Sequence, residues 1–293
     1  IKKKRLPPSM YYRMTSIQAV VEAQFAFADD LKIDIPDQAT SAVLTLFKYL
    51  VKKEPWECPI GHIVPRIPTW TSYGDASEQC IGLFIQSEKV ICILPFTQSL
   101  KTRIDNKEVH IKNLDYIALH LAKILVQLLY SRNPEKYPPH PYHDAKGDNE
   151  VSISWLNFLS TASKLGQQQI RLTAEYTLLH DVKSTASHVP GRTNDPADSF
   201  SRPYLLFPKP HPNLWDIPFN RIINQVCMEH RQVKSWRIFL PSREVISSLN
   251  ATLSNDVAWE RPQKPTNNGQ LLPVESILST GAQSEESSMR YFL

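Results

Sequence analysis

Glycine is scarce, with 8 among 293 residues, and neither a GxGxxG nor a GxxxxGK spacing occurs. A glycine-rich phosphate cradle is therefore excluded. Cysteine is also rare: Cys58, Cys80, Cys92 and Cys227 stand apart with no CxxC pair. That pattern excludes a zinc ribbon and argues against a disulfide framework, so reduced thiols in the cytoplasm or nucleus are expected. Excess charge of one sign is missing too. A net charge of +4 is too small for a polycation, although it leaves room for local basic patches. No unbroken apolar run reaches the roughly 18 residues that a membrane span needs, so no membrane partner is expected. Ile1-Lys-Lys-Lys-Arg5 has no apolar stretch behind it of the kind a signal peptide carries. What is present is a sizeable core fraction, 42% apolar and 10% aromatic residues, together with 23 prolines that divide the chain into segments.

The segments can be read from their periodicity. Residues 6–55 read as helical, with Val43, Leu44, Phe47, Leu50 and Val51 on one face. Prolines at 55, 59, 65 and 68 make an extended connector. From Thr69 the texture changes to β formers. Thr69–Asp75, Gln79–Ile85 and Lys89–Leu94 read as a three-stranded antiparallel meander. A long helix follows, capped by Asn113 and striped by Leu114, Ile117, Leu121, Ile124, Leu125 and Leu128. Then come a strand to Asp148, helices at Glu150–Leu159 and Lys164–Leu179, a strand at Thr185–Val189 and a short helix at Asp195–Ser201. The expected fold is α/β, a mixed five-stranded sheet flanked by helices, antiparallel first and parallel later. Phe219–Val226 and Ser242–Leu253 look helical, and disorder is expected after about residue 260.

Four acids fall at informative places in that order. Asp75 ends the first strand, Asp115 lies early in the long helix, Asp148 ends the fourth strand and Asp198 lies in the last short helix. Adjacent strands can bring Asp75 and Asp148 to a common edge, with the two helices leaning Asp115 and Asp198 over the same spot. Such a cluster repels itself unless cations are bound. Carboxylates without Cys or His select hard cations, so Mg²⁺ or Mn²⁺ is expected, two ions acting as a clamp on a phosphodiester. Taken singly, each acid is as well explained by a solvated surface or a helix N-terminus. The case rests on the set.

Three segments carry a resemblance. Gly74-Asp-Ala-Ser77 resembles a "TDAS" strand, and Gly147-Asp-Asn149 leading to Trp155-Leu-Asn157 resembles an "SDN" strand-to-helix turn. His188-Val-Pro-Gly-Arg-Thr-Asn-Asp-Pro-Ala-Asp-Ser-Phe-Ser-Arg202 resembles "HVPGxxNxxADxLSR" at almost every fixed position. The chain is thereby similar, over about residues 69–203, to the ribonuclease H domain that follows reverse transcriptase in DIRS-like and gypsy-like retroelements. The resemblance implies a ribonuclease H-like fold and metal-dependent hydrolysis of the RNA strand in RNA–DNA hybrids. It implies that Asp75, Asp115, Asp148 and Asp198 are catalytic metal ligands. Residues 1–68 would then be the helical end of a polymerase thumb and connection, with an upstream reverse transcriptase in the same polyprotein as partner. Residues 204–293 would be a C-terminal extension. Departures are plain: the second acid is usually Glu where Asp115 stands, Gly74 replaces Thr, and Glu78-Gln-Cys-Ile-Gly82 lacks the customary "GWG". Glu108 is an alternative second acid. A catalytically degenerate scaffold that binds nucleic acid or protein is the competing expectation. For backbone contacts to the hybrid, Lys101, Arg103, Lys112, Asn149 and Arg192 are the candidates.

Overall fold

In the computed structural model the described residues are 67–139, 141–179, 182–253 and 267–279. The helical segment expected over 1–68 falls outside them, save for residues 67 and 68.

The strands are β1 (Trp70–Ala76), β2 (Cys80–Ile85), β3 (Val90–Pro95), β4 (Tyr142–Gly147), β5 (Lys183–His188), β6 (Arg237–Pro241) and β7 (Gly269–Pro273). The α-helices are α1 (Gln98–Asp105), α2 (Ile111–Arg132), α3 (Glu150–Phe158), α4 (Lys164–Leu179), α5 (Asp195–Ser201), α6 (Phe219–Glu229), α7 (Arg243–Leu253) and α8 (Val274–Ser279). One sheet runs β5-β4-β1-β2-β3-β6-β7. β2 lies antiparallel to β1 and β3, whereas β4 and β5 run parallel to β1. The mixed α/β sheet expected from the sequence is thus present, antiparallel first and parallel later, with two strands beyond the five expected.

Those two strands come from residues 204–293. β6 pairs in parallel with β3, and β7 pairs antiparallel with β6. The sheet therefore runs on through the boundary drawn at residue 203, and residues 269–279 form a strand and a helix where disorder was expected. The reason is local. Arg237-Ile-Phe-Leu-Pro241 is an apolar run too short to read as more than a hydrophobic patch until β3 offers it a partner. Glu88 fastens this junction: it accepts from Lys136, Tyr137 and Trp70, and its carbonyl accepts from Arg237.

The long central helix has a different start from the one expected. α2 begins at Ile111 with His110 at its N-cap, so Asn113 lies inside it. By length and composition α2 could cross a membrane, but 83% of its apolar window is buried inside the molecule. It is buried on nearly all sides because it packs on β1, β2 and β4 and is flanked by α3 and α4. α5 lies on the opposite face, against β2. A Cβ at Gly82 would stand 2.3 Å from the Ser201 nitrogen and 2.5 Å from the Phe200 carbonyl carbon. Glycine is thus required at 82. His230 braces α5 from outside, with its Nε2 2.7 Å from Ser199 Oγ and its ring against Phe200.

Candidate active site

β1 and β4 are parallel neighbours, so Asp75 and Asp148 come to the same end of the sheet, the carboxyl end, where α/β sheets usually bind ligands. Their ladder closes at Tyr73 opposite Lys146. Beyond that rung a shallow cleft is lined by Gly74, Gly147, Asp148, Asn149 and Asp115.

Each acid meets different surroundings. Asp75 is 4% exposed, and its Oδ2 accepts from Ser201 Oγ at 2.5 Å. Ser201 is itself wholly buried, and its carbonyl accepts from Ser77 Oγ at 2.6 Å. Asp115 is 9% exposed; its Oδ1 accepts from the Ala76 amide at 3.1 Å and its Oδ2 from Asn149 Nδ2 at 2.8 Å. Asp148 is exposed at the rim of the cleft, with its Oδ2 3.3 Å from the place a Cβ on Gly191 would take. Asp198 is half-buried and ion-paired with Arg202 one turn on.

The four acids share one electrostatic neighbourhood. Burial raises the Asp75 carboxyl to about 6; the Ser201 hydrogen bond lowers it, and the Asp148 and Asp198 charges raise it further. Burial raises Asp115 to about 7, with Asp75 and Asp148 adding to the rise and its hydrogen bonds opposing it. Asp198 is raised by burial and by Asp148, against the pull of Arg202. Strongly perturbed acids in one cleft are what a functional site shows. Among the described residues, however, no three His, Cys, Asp or Glu side chains are drawn tightly enough together to form a metal centre as they stand.

The remaining candidates scatter. Glu108 is exposed and paired with Arg103, apart from the cluster. Lys101 is tied to Asp105 and Glu78, and Arg103 also donates to the Leu253 carbonyl, so both are anchored to the fold. Lys112 lies 5.7 Å over the Trp155 ring beside the cleft. Asn149 caps α3, accepting from Val151 and Ser152, while its amide reaches Asp115. Arg192 is exposed in the turn that follows β5. Sequence reasoning missed Ser201, Ser77 and the Ala76 amide. Ser201 lies inside the motif quoted above, but only the packing of α5 on β2 shows that its hydroxyl faces Asp75.

No family model matches the chain, and no curated protein matches it. Among solved structures, the chain is similar to the crystal structure of RNase H1 from the halophilic archaeon Halobacterium salinarum NRC-1, at 15% identity and a TM-score of 0.32. The match covers 45% of this chain and 92% of that one. A likeness of that degree brings no activity to this chain.

Proposed function

We propose that this chain is a divalent-cation-dependent nuclease that hydrolyses the RNA strand of RNA–DNA hybrids, as part of a retroelement reverse transcriptase. The observation behind this reading is the convergence of Asp75, Asp115, Asp148 and Asp198, distant in sequence, on one end of the sheet. The donors are all carboxylate oxygens, which suits Mg²⁺ or Mn²⁺. The fit is best at Asp75 and Asp148. Asp148 accepts no hydrogen bond among the described residues, and Asp75 is held through Oδ2 alone. A bound ion would lower the pKa of water and neutralise charge on the scissile phosphate.

The rest is the work of the chain's own groups. Asp75 and Asp148 hold the charge that attracts the ion, and Ser201 fixes Asp75 through Oδ2. Lys112 and Arg192 supply positive charge to phosphates on either side of it. A hybrid approaching A-form would be told apart by its shape and 2′-hydroxyls. The test is cleavage of labelled hybrid in Mg²⁺ or Mn²⁺ by the native chain and by Asp75→Asn and Asp148→Asn. Cleavage is expected only from the native chain; cleavage surviving either substitution sinks the assignment.

A second reading, a degenerate scaffold that binds nucleic acid or protein, is favoured by one observation. Three of the four acids, Asp75, Asp115 and Asp198, are already engaged by protein donors. Hybrid binding with no cleavage in any divalent ion would support it.

A further inference from the structure

We propose that Asp115 is a positioning residue, a carboxylate tie across the parting ends of β1 and β4, which leaves Asp75 and Asp148 to hold a single divalent ion. The inference rests on reading this site as cation-dependent.

It starts from the fork in the sheet. The last rung between β1 and β4 is Tyr73 opposite Lys146. The paired register ends there, and the two acids that must cooperate stand just beyond it. Asp115 comes down from α2 into this gap. One oxygen takes the amide of Ala76, the residue after Asp75. The other takes the side-chain amide of Asn149, the residue after Asp148. The carboxylate thus does across the fork what backbone hydrogen bonds do below it.

The same bonds decide which acids remain open. Both oxygens of Asp115 are held by donors, at 3.1 and 2.8 Å. Asp198 is closed by Arg202. Asp75 is fixed at Oδ2 only, by a hydroxyl that is itself rigid because α5 is seated on Gly82. Asp148 has no such bond. The second oxygen of Asp75, which no protein donor takes, and the exposed carboxylate of Asp148 suit a cation that keeps several waters and takes one or two protein carboxylates, as Mg²⁺ does. The aspartate at 115 fits this role: one methylene shorter than glutamate, it stays near the backbone it ties.

The test is a Mn²⁺ titration of the whole chain without substrate, read by electron paramagnetic resonance, with thermal unfolding in parallel. The native chain should bind one ion. Asn149→Ser keeps a capping oxygen for α3 but removes the donor to Asp115. It should weaken Mn²⁺ binding roughly tenfold, as loss of a hydrogen-bonded support commonly does. Asp115→Glu should bind one ion no more tightly than the native chain, because the longer carboxylate overreaches both donors. A second ion in the native chain, a second ion or tighter binding in Asp115→Glu, or unchanged binding in Asn149→Ser overturns the tie. Asp148→Asn separates the two ideas. If it binds like the native chain, or if the native chain binds nothing, the cation site itself is wrong and the tie falls with it.

Discussion

β1, β4 and α2 carry a basic cluster as well as the acidic cleft. In the basic cluster His143 is wholly buried, with Nε2 2.8 Å from Ser72 Oγ and Nδ1 3.0 Å from Ser184 Oγ. Lys123, 3% exposed, donates to Thr177. Burial pushes His143 down to about 3 and Lys123 down to about 7, so His143 is neutral at neutral pH and Lys123 is about half so. In the cleft, burial pushes acids up, but Asp148 stays exposed and open. Both clusters contain buried, titratable and hydrogen-bonded groups, and both draw on the same strands and helix. Burial alone therefore does not make a site. In the basic cluster Ser72 is wholly buried and Ser184 and Thr177 are half-buried, and these hydroxyls already engage His143 and Lys123. The cleft sits where the ladder ends, and its strand ends open outward.

The sharpest way to break the comparison is a crossed pair of substitutions. His143→Ala should cost about 2–4 kcal/mol of stability, from a cavity and two orphaned hydroxyls, while leaving Mn²⁺ binding unchanged. Asp148→Asn, at an exposed position, should move stability by no more than about 0.5 kcal/mol while removing Mn²⁺ binding. Calorimetry and metal titration on both variants check this; Mn²⁺ binding that follows His143 instead would merge the two regions.

A pH series sharpens the contrast, since the signs differ. Asp75 and Asp115 have folded values above the ordinary carboxylate value of 3.8, so the stability they contribute is full below about 4 and is lost as pH rises through about 6 and 7. Mn²⁺ favours their ionised forms, so the rise in Tm on adding Mn²⁺ should grow between pH 5 and 8. Lys123 has a folded value depressed from 10.5, so its contribution is present above about 10.5 and is lost as pH falls through about 7. Lys123→Met should therefore gain most over the native chain near pH 6 and 7, by on the order of 1 kcal/mol or more, and the gain should shrink towards pH 10. A Mn²⁺ effect independent of pH, or a Lys123→Met gain that grows with pH, contradicts this.

The smallest effect concerns Arg202. Its pair with Asp198 is half-exposed, so Arg202→Gln should change stability by less than about 1 kcal/mol in thermal unfolding. A larger loss would mean that α5 is held by this pair more than by its seat on Gly82.

The sequence by itself determined the meander, the parallel strands that follow, and the acids at the ends of β1 and β4. Those are short-range matters of alternation, turn residues and motif spacing, and Asp75 and Asp148 follow directly once two parallel strands are neighbours. The sequence also put Asp115 and Asp198 on the right helices. Tertiary structure alone decided what those acids touch. Which donors Asp115 meets in the cleft depends on how α2 crosses β1 and where β1 and β4 end, and no local pattern records that. The same holds for Ser201, whose hydroxyl meets Asp75 only because Gly82 lets α5 approach the sheet. It holds as well for β6 and β7, short apolar runs that become strands only when β3 leaves an edge to pair with.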